Sequence, residues 1–591
     1  MNRAIEKAKK FLSEEKAFRL GQLPTESSHP KTQALSETAG RDLTAAIRLL
    51  QSVDEDIPPA MEKVFQQDVF SELVDSFIDA LNRGRQIYFT GCGATGRLSI
   101  LLEAAWRRFW QELKQNYPDI STQIPDIEDR TFSVMAGGDF ALIKLVEGFE
   151  DFPDFGRYQL KQTGIQPGDI VVAITEGGET PFVIGTAWQG LDTGAKVFFV
   201  YNNPTEILCT HVQRSREIID HPDIRKLDLT TGPMAITGST RMQAVTAELL
   251  TIGSALEISL TKFLQQHLLP SQCSMLGLHL RSPQDYPQMF AHLLAQLSAP
   301  ANVESMAGVV KFEEDIYRKH GLVTYIADSF LLDVLTDTTE RSPTFMVPPF
   351  RKNDDNLSPC SWAFVKDCFH PTQQAWQHLL RRQPRGLQWT ADTYRQLNAP
   401  SKLQADTPRL DNTEIYKFQI GNEPDPSRIN ATDSALVVVA VGNEAERLTE
   451  VATNMFYPVC NIVTSIIMGP SADAKTERIF HIACDLPESP LQMWHHLAVK
   501  LTLNTISTTT MARMGRVVGN AMAWLSPSNK KLIDRGCRLI SKLTGCTYDQ
   551  ACITLFEAMD EVESRRSRGE EAPSPVALAI ERLRSGDSKS R

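Results

Sequence analysis

The chain has ten cysteines but no CxxC pair. That removes zinc-ribbon and thioredoxin-type readings, and the nearest cluster, Cys360, Cys368 and His370, has a spacing that fits no common zinc site. Scattered thiols of this kind read as reduced and mostly buried, the usage of a cytoplasmic protein. No uninterrupted apolar run approaches the ~18–20 residues that span a bilayer. The first residues, MNRAIEKAKKFLSEEKAF, have the pattern of a charged amphipathic helix and lack the apolar segment of a signal peptide. The expectation is a cytoplasmic protein with no membrane partner. Positive charge is also scarce. With 61 Lys and Arg against 72 Asp and Glu, the formal net charge is -11, which argues against nucleic acid as a partner. A small anion stays open, because a few backbone N–H groups at a helix start and one Lys suffice to hold it. Neither a metal nor another cofactor is expected.

What is present is ordinary in bulk and organised in detail. An apolar fraction of 42% and a charged fraction of 23% over 591 residues fit a globular chain of two or more domains. Residues 1–60 read as helical. Short apolar runs then alternate with helical segments: QIYFT (86–90), FSVM (132–135), DIVVAIT (169–175) and KVFFVY (196–201). That alternation predicts an α/β fold with a parallel sheet. A long helix is predicted over 241–268. A second strand set follows, with LVTYIA (322–327), PTFMV (343–347), ALVVVAV (435–441), CNIVTSII (460–467) and RIFHIAC (478–484). The expected division is a first α/β domain over 61–268, a helical linker over 269–310, and a second α/β domain over 311–490 with an insertion at 351–432. A helical cap over 491–565 and a charged, frayed tail over 566–591 complete it.

Ligands of open parallel sheets bind beyond the C-terminal ends of the strands. Four loops fall there in the first domain. GCGATGR (91–97) offers Gly93, Thr95 and Gly96 at a helix start, as an anion cradle or simply as a tight strand-to-helix turn. The stretch 136–151 brings Glu147, Glu150 and Asp151, as functional acids or as a solvated acidic face. ITEGGETPF (174–182) places Thr175, Gly177, Gly178 and Thr180 before another helix. ITGSTRM (236–242) does the same with Ser239, Thr240 and Arg241. Three such turns in one domain point to a phosphate-type ligand. The acidity of the third loop limits its geometry. Two unit charges ~5 Å apart repel by about 3 kcal/mol at an effective dielectric of 20. Glu176 and Glu179 therefore cannot both face a phosphate.

These loops resemble those of the sugar-isomerase (SIS) domain superfamily, whose phosphate loop commonly reads SxSGET where this chain has TEGGET. LPTESSHPKT, GCGATGRL, AGGD, VEGFED, ETPFVIG, TGSTRM, VKLTLNTISTTTMARMGRVVGNAM, SNKKLIDR and TGCTYDQA are similar, in that order, to motifs of N-acetylmuramic acid 6-phosphate etherases and of the two-domain glucokinase regulatory proteins. The resemblance implies two SIS-type, flavodoxin-like parallel-sheet domains in tandem with an α-helical C-terminal cap.

The etherase reaction is a β-elimination needing a base and an acid, roles that suit two glutamates. The resemblance places Glu150 at one. The other falls on Ala105 in the first domain, and Glu103, two helix residues away, points ~200° round. The second domain supplies DTTERSPTF (337–345), with Glu340 in the acid's place. It also supplies Lys500 where the family has a ligand-reaching Lys; the first-domain counterpart is Glu248. The implied arrangement is a composite site, with phosphate loops and Glu150 from one half and Glu340, Lys500 and the cap from the other, in a pseudo-dimeric monomer. The bland alternative makes Glu340 and Lys500 ordinary surface residues.

Two functions stay open. One is a phosphosugar-binding regulator acting on a protein partner such as a sugar kinase. The other is an active lyase or isomerase on N-acetylmuramic acid 6-phosphate or a related sugar phosphate. A vestigial structural role is a third. The etherase loop carries Ser and Arg where this chain has Gly177 and Glu179, and Gln243 replaces the Lys after the STR motif. The loss of two cations favours binding over plain etherase chemistry.

Overall fold

The computed structural model describes residues 3–146, 148–429, 433–456, 462–472, 476, 478–568 and 573–585. Glu147, the first two residues of CNIVTSII and parts of the C-terminal tail lie outside the described residues. Two five-stranded sheets organise the chain. The first contains β1 (Ile87–Gly91), β2 (Thr131–Met135), β3 (Ile170–Ile174), β4 (Lys196–Tyr201) and β5 (Ile224–Asp228). The second contains β6 (Val323–Ile326), β7 (Ala363–Lys366), β8 (Ala435–Val441), β9 (Val463–Gly469) and β10 (Arg478–Ala483). The orders are β2-β1-β3-β4-β5 and β10-β9-β8-β6-β7. Read from its own first strand, the second sheet repeats the order of the first. Every pairing is parallel, with Ile87 aligned to Ile170 in one sheet and Val323 to Ala435 in the other. The central strands IVVAI and ALVVVAV are buried throughout, as strands covered on both faces must be.

The helices used below are α1 (Arg3–Glu14), α2 (Asp68–Asn82), α3 (Ala94–Asn116), α4 (Pro153–Gln162), α5 (Pro181–Thr193), α6 (Gln213–Ile219), α7 (Gln243–His267), α8 (Pro300–Arg318), α9 (Leu331–Phe345), α10 (Thr372–Leu380), α11 (Ala445–Phe456), α12 (Met493–Arg513), α13 (Lys530–Thr544), α14 (Tyr548–Ser567) and α15 (Pro575–Arg584). α3 follows β1 as α9 follows β6. Likewise α7 follows β5 and α12 follows β10, so the two halves place counterpart helices in counterpart positions. One apolar core runs from Leu20 to Met522 and includes both sheets. A second core joins α1 to α13, α14 and α15, with Phe11 against Phe556. Among the described residues, α7 alone is long and apolar enough by composition to cross a membrane, and its apolar stretch is buried inside the protein. Thr, Ser and Glu interrupt its apolar run, so the sequence shows a long helix there but no uninterrupted apolar segment.

Three expectations need correction. PTFMV is not a strand. Pro343, Thr344 and Phe345 close the last turn of α9, and the helix ends at Met346, which takes a φ of 53°. Leu331, Val334 and Leu335 are buried on one face of that helix, a helical period that local alternation concealed. Two strands were missed, β5 (IRKLD) and β7 (AFVK). Both are edge strands, and charged residues on an edge strand mask its apolar signal. β7 makes the stretch 351–432, expected as an insertion, an integral part of the second sheet. Finally, the tail is not frayed throughout. Residues 575–584 form α15, with Val576, Ala579 and Ile580 buried.

Candidate functional site

The three glycine- and hydroxyl-bearing loops sit where the sequence placed them, each between a strand of the first sheet and the start of α3, α5 or α7. Their hydroxyls are not equivalent. Thr95 Oγ1 accepts from the Cys92 N–H at 3.0 Å and donates to the Cys92 carbonyl at 2.9 Å, so it braces its own turn. Gly93, at φ 58°, faces open space. Gly96 lies close against Met135: a Cβ there would come 2.6 Å from Met135 Cγ. Thr175 Oγ1 donates to Thr180 Oγ1 at 3.1 Å, tying the two ends of TEGGET. Gly178, at φ 71°, has Leu208 and Tyr201 against the position of a Cβ. Ser239 has no side-chain hydrogen bond among the described residues.

The two loop glutamates diverge, as the repulsion argument required. Glu179 turns to cations: Arg214 Nη2 on α6 at 2.5 Å and Lys531 Nζ on α13 at 2.8 Å. Burial works against its charge, but Lys531 and Arg214 outweigh that and hold its carboxyl below the usual range. Glu176 instead accepts from Thr240 Oγ1 at 3.2 Å. Burial pushes it up to about 7. Glu150 receives a hydrogen bond from Asn529 Nδ2 and, at 3.5 Å, the Cys92 thiol. Burial also raises its pKa. Asn529 caps α13 through the Leu532 N–H, so the first turn of the C-terminal cap is fastened to both acidic loops.

The second half reaches in through α9 and α12. Arg241, from TGSTRM, is 96% buried. It stands 3.2 Å from Asp337 Oδ1 and 3.8 Å from Glu340 Oε2 on α9, and donates to Ser507 and Thr508 on α12. Glu340 is buried and accepts no hydrogen bond among the described residues. Burial raises its pKa against the pull of Arg97, Arg241 and Lys500. The same Arg97 is in electrostatic reach of Cys92 and Glu176, so it links the loops of the first half to Glu340. Lys500 crosses in the opposite direction. Its Nζ donates to the Arg241 and Met242 carbonyls, to Thr246 Oγ1 and to Asn504 Oδ1. With four acceptors around three N–H groups, Lys500 is saturated and supports the TGSTRM loop. Its counterpart Glu248 is fully buried, takes a hydrogen bond from Asn202 Nδ2 at 2.9 Å, and is raised by burial well above the carboxylate range.

The site is walled from behind. Glu26, in LPTESSHPKT, binds Arg535 at 2.6 Å and Arg538 at 2.7 Å on α13. Despite burial these cations hold its pKa at about 2. Ser28 Oγ meets Thr237 Oγ1 at 2.7 Å, and Asn203 Nδ2 bridges Thr25 Oγ1 and the Gly177 carbonyl. Glu103, rejected above as a catalytic acid, is sequestered by Arg107, Arg382 and Arg385. Ala105 is buried beside it on α3.

Residues 69–190 match the family model for the glucokinase regulatory protein N-terminal SIS domain. The SIS match covers β1, α3, β2, β3 and most of α5, hence GCGATGR, the stretch 136–151 and TEGGET, and ends before TGSTRM. Curated relatives of the chain include N-acetylmuramic acid 6-phosphate etherases. That of Mesorhizobium japonicum is 30% identical over 233 residues, covering 39% of this chain and 65% of the relative. That of Bacillus licheniformis is 28% identical over 228 residues, covering 39% and 65%, and that of Glaesserella parasuis 25% over 233 residues, covering 39% and 67%. The aligned region thus spans about two thirds of these relatives. Among solved structures, the C-terminal domain of glucosamine-fructose-6-phosphate aminotransferase from Francisella tularensis gives a TM-score of 0.41 at 10% identity, over 80% of this chain and 96% of that one. Tagatose-6-phosphate ketose/aldose isomerase from Escherichia coli gives 0.39 at 8% identity, over 80% and 94%.

Sequence reasoning missed four contributors: Arg97, Arg214, Asn529 and Lys531. Arg97, Asn529 and Lys531 stand inside motifs that were read, GCGATGR and SNKKLIDR. Their roles depend on chain segments hundreds of residues apart, so no local pattern gives them away.

Proposed function

We propose that this chain is a tandem SIS protein that binds a phosphosugar at one composite site between its halves. The proposed halves are residues 61–268 and 311–490, capped by 491–565, in a pseudo-dimeric monomer of the cytoplasm. In this reading Gly93, Thr95 and Gly96 shape the first turn, Thr175, Gly177, Gly178 and Thr180 the second, and Ser239 and Thr240 the third, around the phosphate. Glu150 and Glu340 face the sugar. Lys500 holds the third loop in place. The observation that carries the reading is Glu340: a buried carboxylate that accepts no hydrogen bond among the described residues, 3.8 Å from an arginine of the other half. A buried carboxylate left without a donor is costly, and sugar hydroxyls would supply the missing donors. The etherase relatives point to amino-sugar phosphates as the ligand class, and a sugar kinase is the proposed protein partner.

A second reading, a lyase or isomerase, draws on Glu150 and Glu340 together. Burial raises both above the ordinary carboxylate value, the direction that suits a carboxyl acting as acid or base. A thermal-shift screen of sugar 6-phosphates, sugar 1-phosphates and N-acetylmuramic acid 6-phosphate, with product release followed in parallel, separates the two. A ligand at 100 times its dissociation constant adds about 2.7 kcal/mol. Stabilisation without turnover supports the binding protein. Turnover abolished by Glu150→Gln supports the enzyme. No stabilisation by any of them sinks both.

A further inference from the structure

α3 serves both halves of the chain. It begins inside GCGATGR at the first sheet and, about three turns further along, carries Arg108 to the strand ends of the second. Arg108 Nη2 donates to the Leu491 carbonyl, just before α12, at 3.1 Å. Its guanidinium carbon lies 5.8 Å from the ring centre of Phe330, in the turn between β6 and α9. This mirrors α9, which brings Glu340 of the second half to the loops of the first. Ligands of open parallel sheets bind at such strand ends.

Arg381 comes to the same place. Its backbone carbonyl accepts from Gln111 Nε2 at 2.9 Å, and Gln111 lies three residues beyond Arg108 on one face of α3. Arg381 ends α10 at φ 55°, in the left-handed region that glycine usually takes. Its neighbours Arg382 and Arg385 are spent on Glu103 and Asp139. The Arg381 side chain itself has no hydrogen bond or ion pair among the described residues. Arg108 is 3% exposed, and its Nε and Nη1 donate to nothing among the described residues. Neither of those nitrogens is sealed from water-sized space, and no nitrogen of Arg381 is. The carboxylates around the pair are engaged elsewhere. Asp333 holds His496 Nδ1 at 2.9 Å, Asp328 holds His378 and Arg447, and Glu444 accepts the Ser329 and Val441 N–H groups. That leaves Glu112, on α3, whose Oε1 stands 4.0 Å from Arg108 Nε, with 48% of its side chain exposed. Burial pushes Arg108 down to about 10 against the pull of Glu112, and the charge of Arg381 adds to the fall. Two neighbouring guanidinium groups are thus held short of acceptors.

We infer that Arg108 and Arg381 form a second anion site, at the strand ends of the second sheet, which takes a phosphate-type oxyanion between the two guanidinium groups. Guanidinium forks match such an oxyanion in geometry and charge. Glu112 is the internal counter-ion that the oxyanion displaces. The site is separate from the composite site of the first half and does not rest on the phosphosugar reading. Its occupant ties α3 of the first half to the 351–432 stretch of the second.

The test is isothermal titration of the full chain with inorganic phosphate, chloride holding the ionic strength constant. The wild type should show a phosphate-binding event that survives Thr180→Val, a change in TEGGET that removes any event belonging to the composite site. Arg381→Met should weaken the surviving event at least ~10-fold, as expected for losing one charge-assisted hydrogen bond. Glu112→Gln keeps both arginines and removes their counter-ion, so it should tighten the event several-fold. It gives an independent reading should Arg381→Met fold poorly. A wild type that binds no phosphate, or whose phosphate binding is lost entirely in Thr180→Val, overturns the inference. So does an unchanged affinity in Arg381→Met, or an unchanged or weaker one in Glu112→Gln. None of these outcomes touches the composite site, which is read from its own sugar-phosphate screen.

Discussion

Arg241 Nη1 lies 3.2 Å from Asp337 Oδ1, and this buried pair joins the TGSTRM loop of the first half to α9 of the second. Asp337 also holds Arg341 on its own helix at 2.9 Å, and Arg341 reaches Glu313 on α8. The junction is therefore a chain of buried charges in which each member has a partner. Removing one partner of a buried pair leaves the other uncompensated, which costs ~3–5 kcal/mol. Asp337→Ala should destabilise the protein by about that amount in urea unfolding. A loss under 1 kcal/mol would show that the pair is not buried as described.

Glu340 stands in the opposite situation. It is buried and, among the described residues, has no hydrogen-bond donor, so Glu340→Gln should cost little stability or even raise it. The same change should weaken sugar-phosphate binding by ~10–100-fold, the loss of a hydrogen bond to a charged group. Calorimetry on this variant, run beside its unfolding curve, checks both halves of the statement.

Stability should fall as the pH rises from about 4.5 through about 7. Burial lifts Glu176 and Glu257 to about 7 from an ordinary value of 4.5. Between those values the folded chain binds more protons than the unfolded chain. The stability they contribute is complete below pH 4.5 and is lost as the pH rises through about 7. Urea midpoints at pH 6 and pH 8 should differ in that direction, and Glu257→Gln should shrink the difference.

Ligand binding should follow the same protonation. A phosphate dianion near Glu176 favours its neutral form, so binding takes up protons and weakens as the pH rises through about 7. Calorimetry in buffers of different ionisation enthalpy measures the uptake. Proton release on binding would contradict it.

Behind Glu150, Phe149 stacks on Trp389 at 5.3 Å, and Phe155 and Tyr394 close the cluster. Trp389 comes from the polar stretch 351–432, which thereby positions the Glu150 turn. Trp389→Ala should cost ~3–5 kcal/mol, and binding should weaken with it. Unfolding curves and titration on the one variant would show whether the two losses travel together.

The sequence by itself determined the elements with a clean local period. Strands such as DIVVAIT and ALVVVAV are continuous apolar runs because parallel strands are covered on both faces, and the helix over 241–268 was legible from its length. Glycines and hydroxyls before helix starts also marked three loops at the correct strand ends. Edge strands β5 and β7 were not legible, because each has only one neighbour, β5 is only partly buried, and β7 is four residues long and ends on a buried lysine. PTFMV misled because five residues cannot distinguish a helix end from a strand. Only the tertiary structure decided which cations meet which carboxylates. Glu176 and Glu179 are near neighbours with the same side chain, yet one reaches Thr240 and stays close to neutral while the other takes Lys531 and Arg214. Lys500, read as reaching a ligand, donates to the Arg241 and Met242 carbonyls, Thr246 and Asn504, while Lys531 pairs with Glu179. Charge partners are chosen by proximity in space and by burial, and neither quantity is encoded in the spacing of residues along the chain.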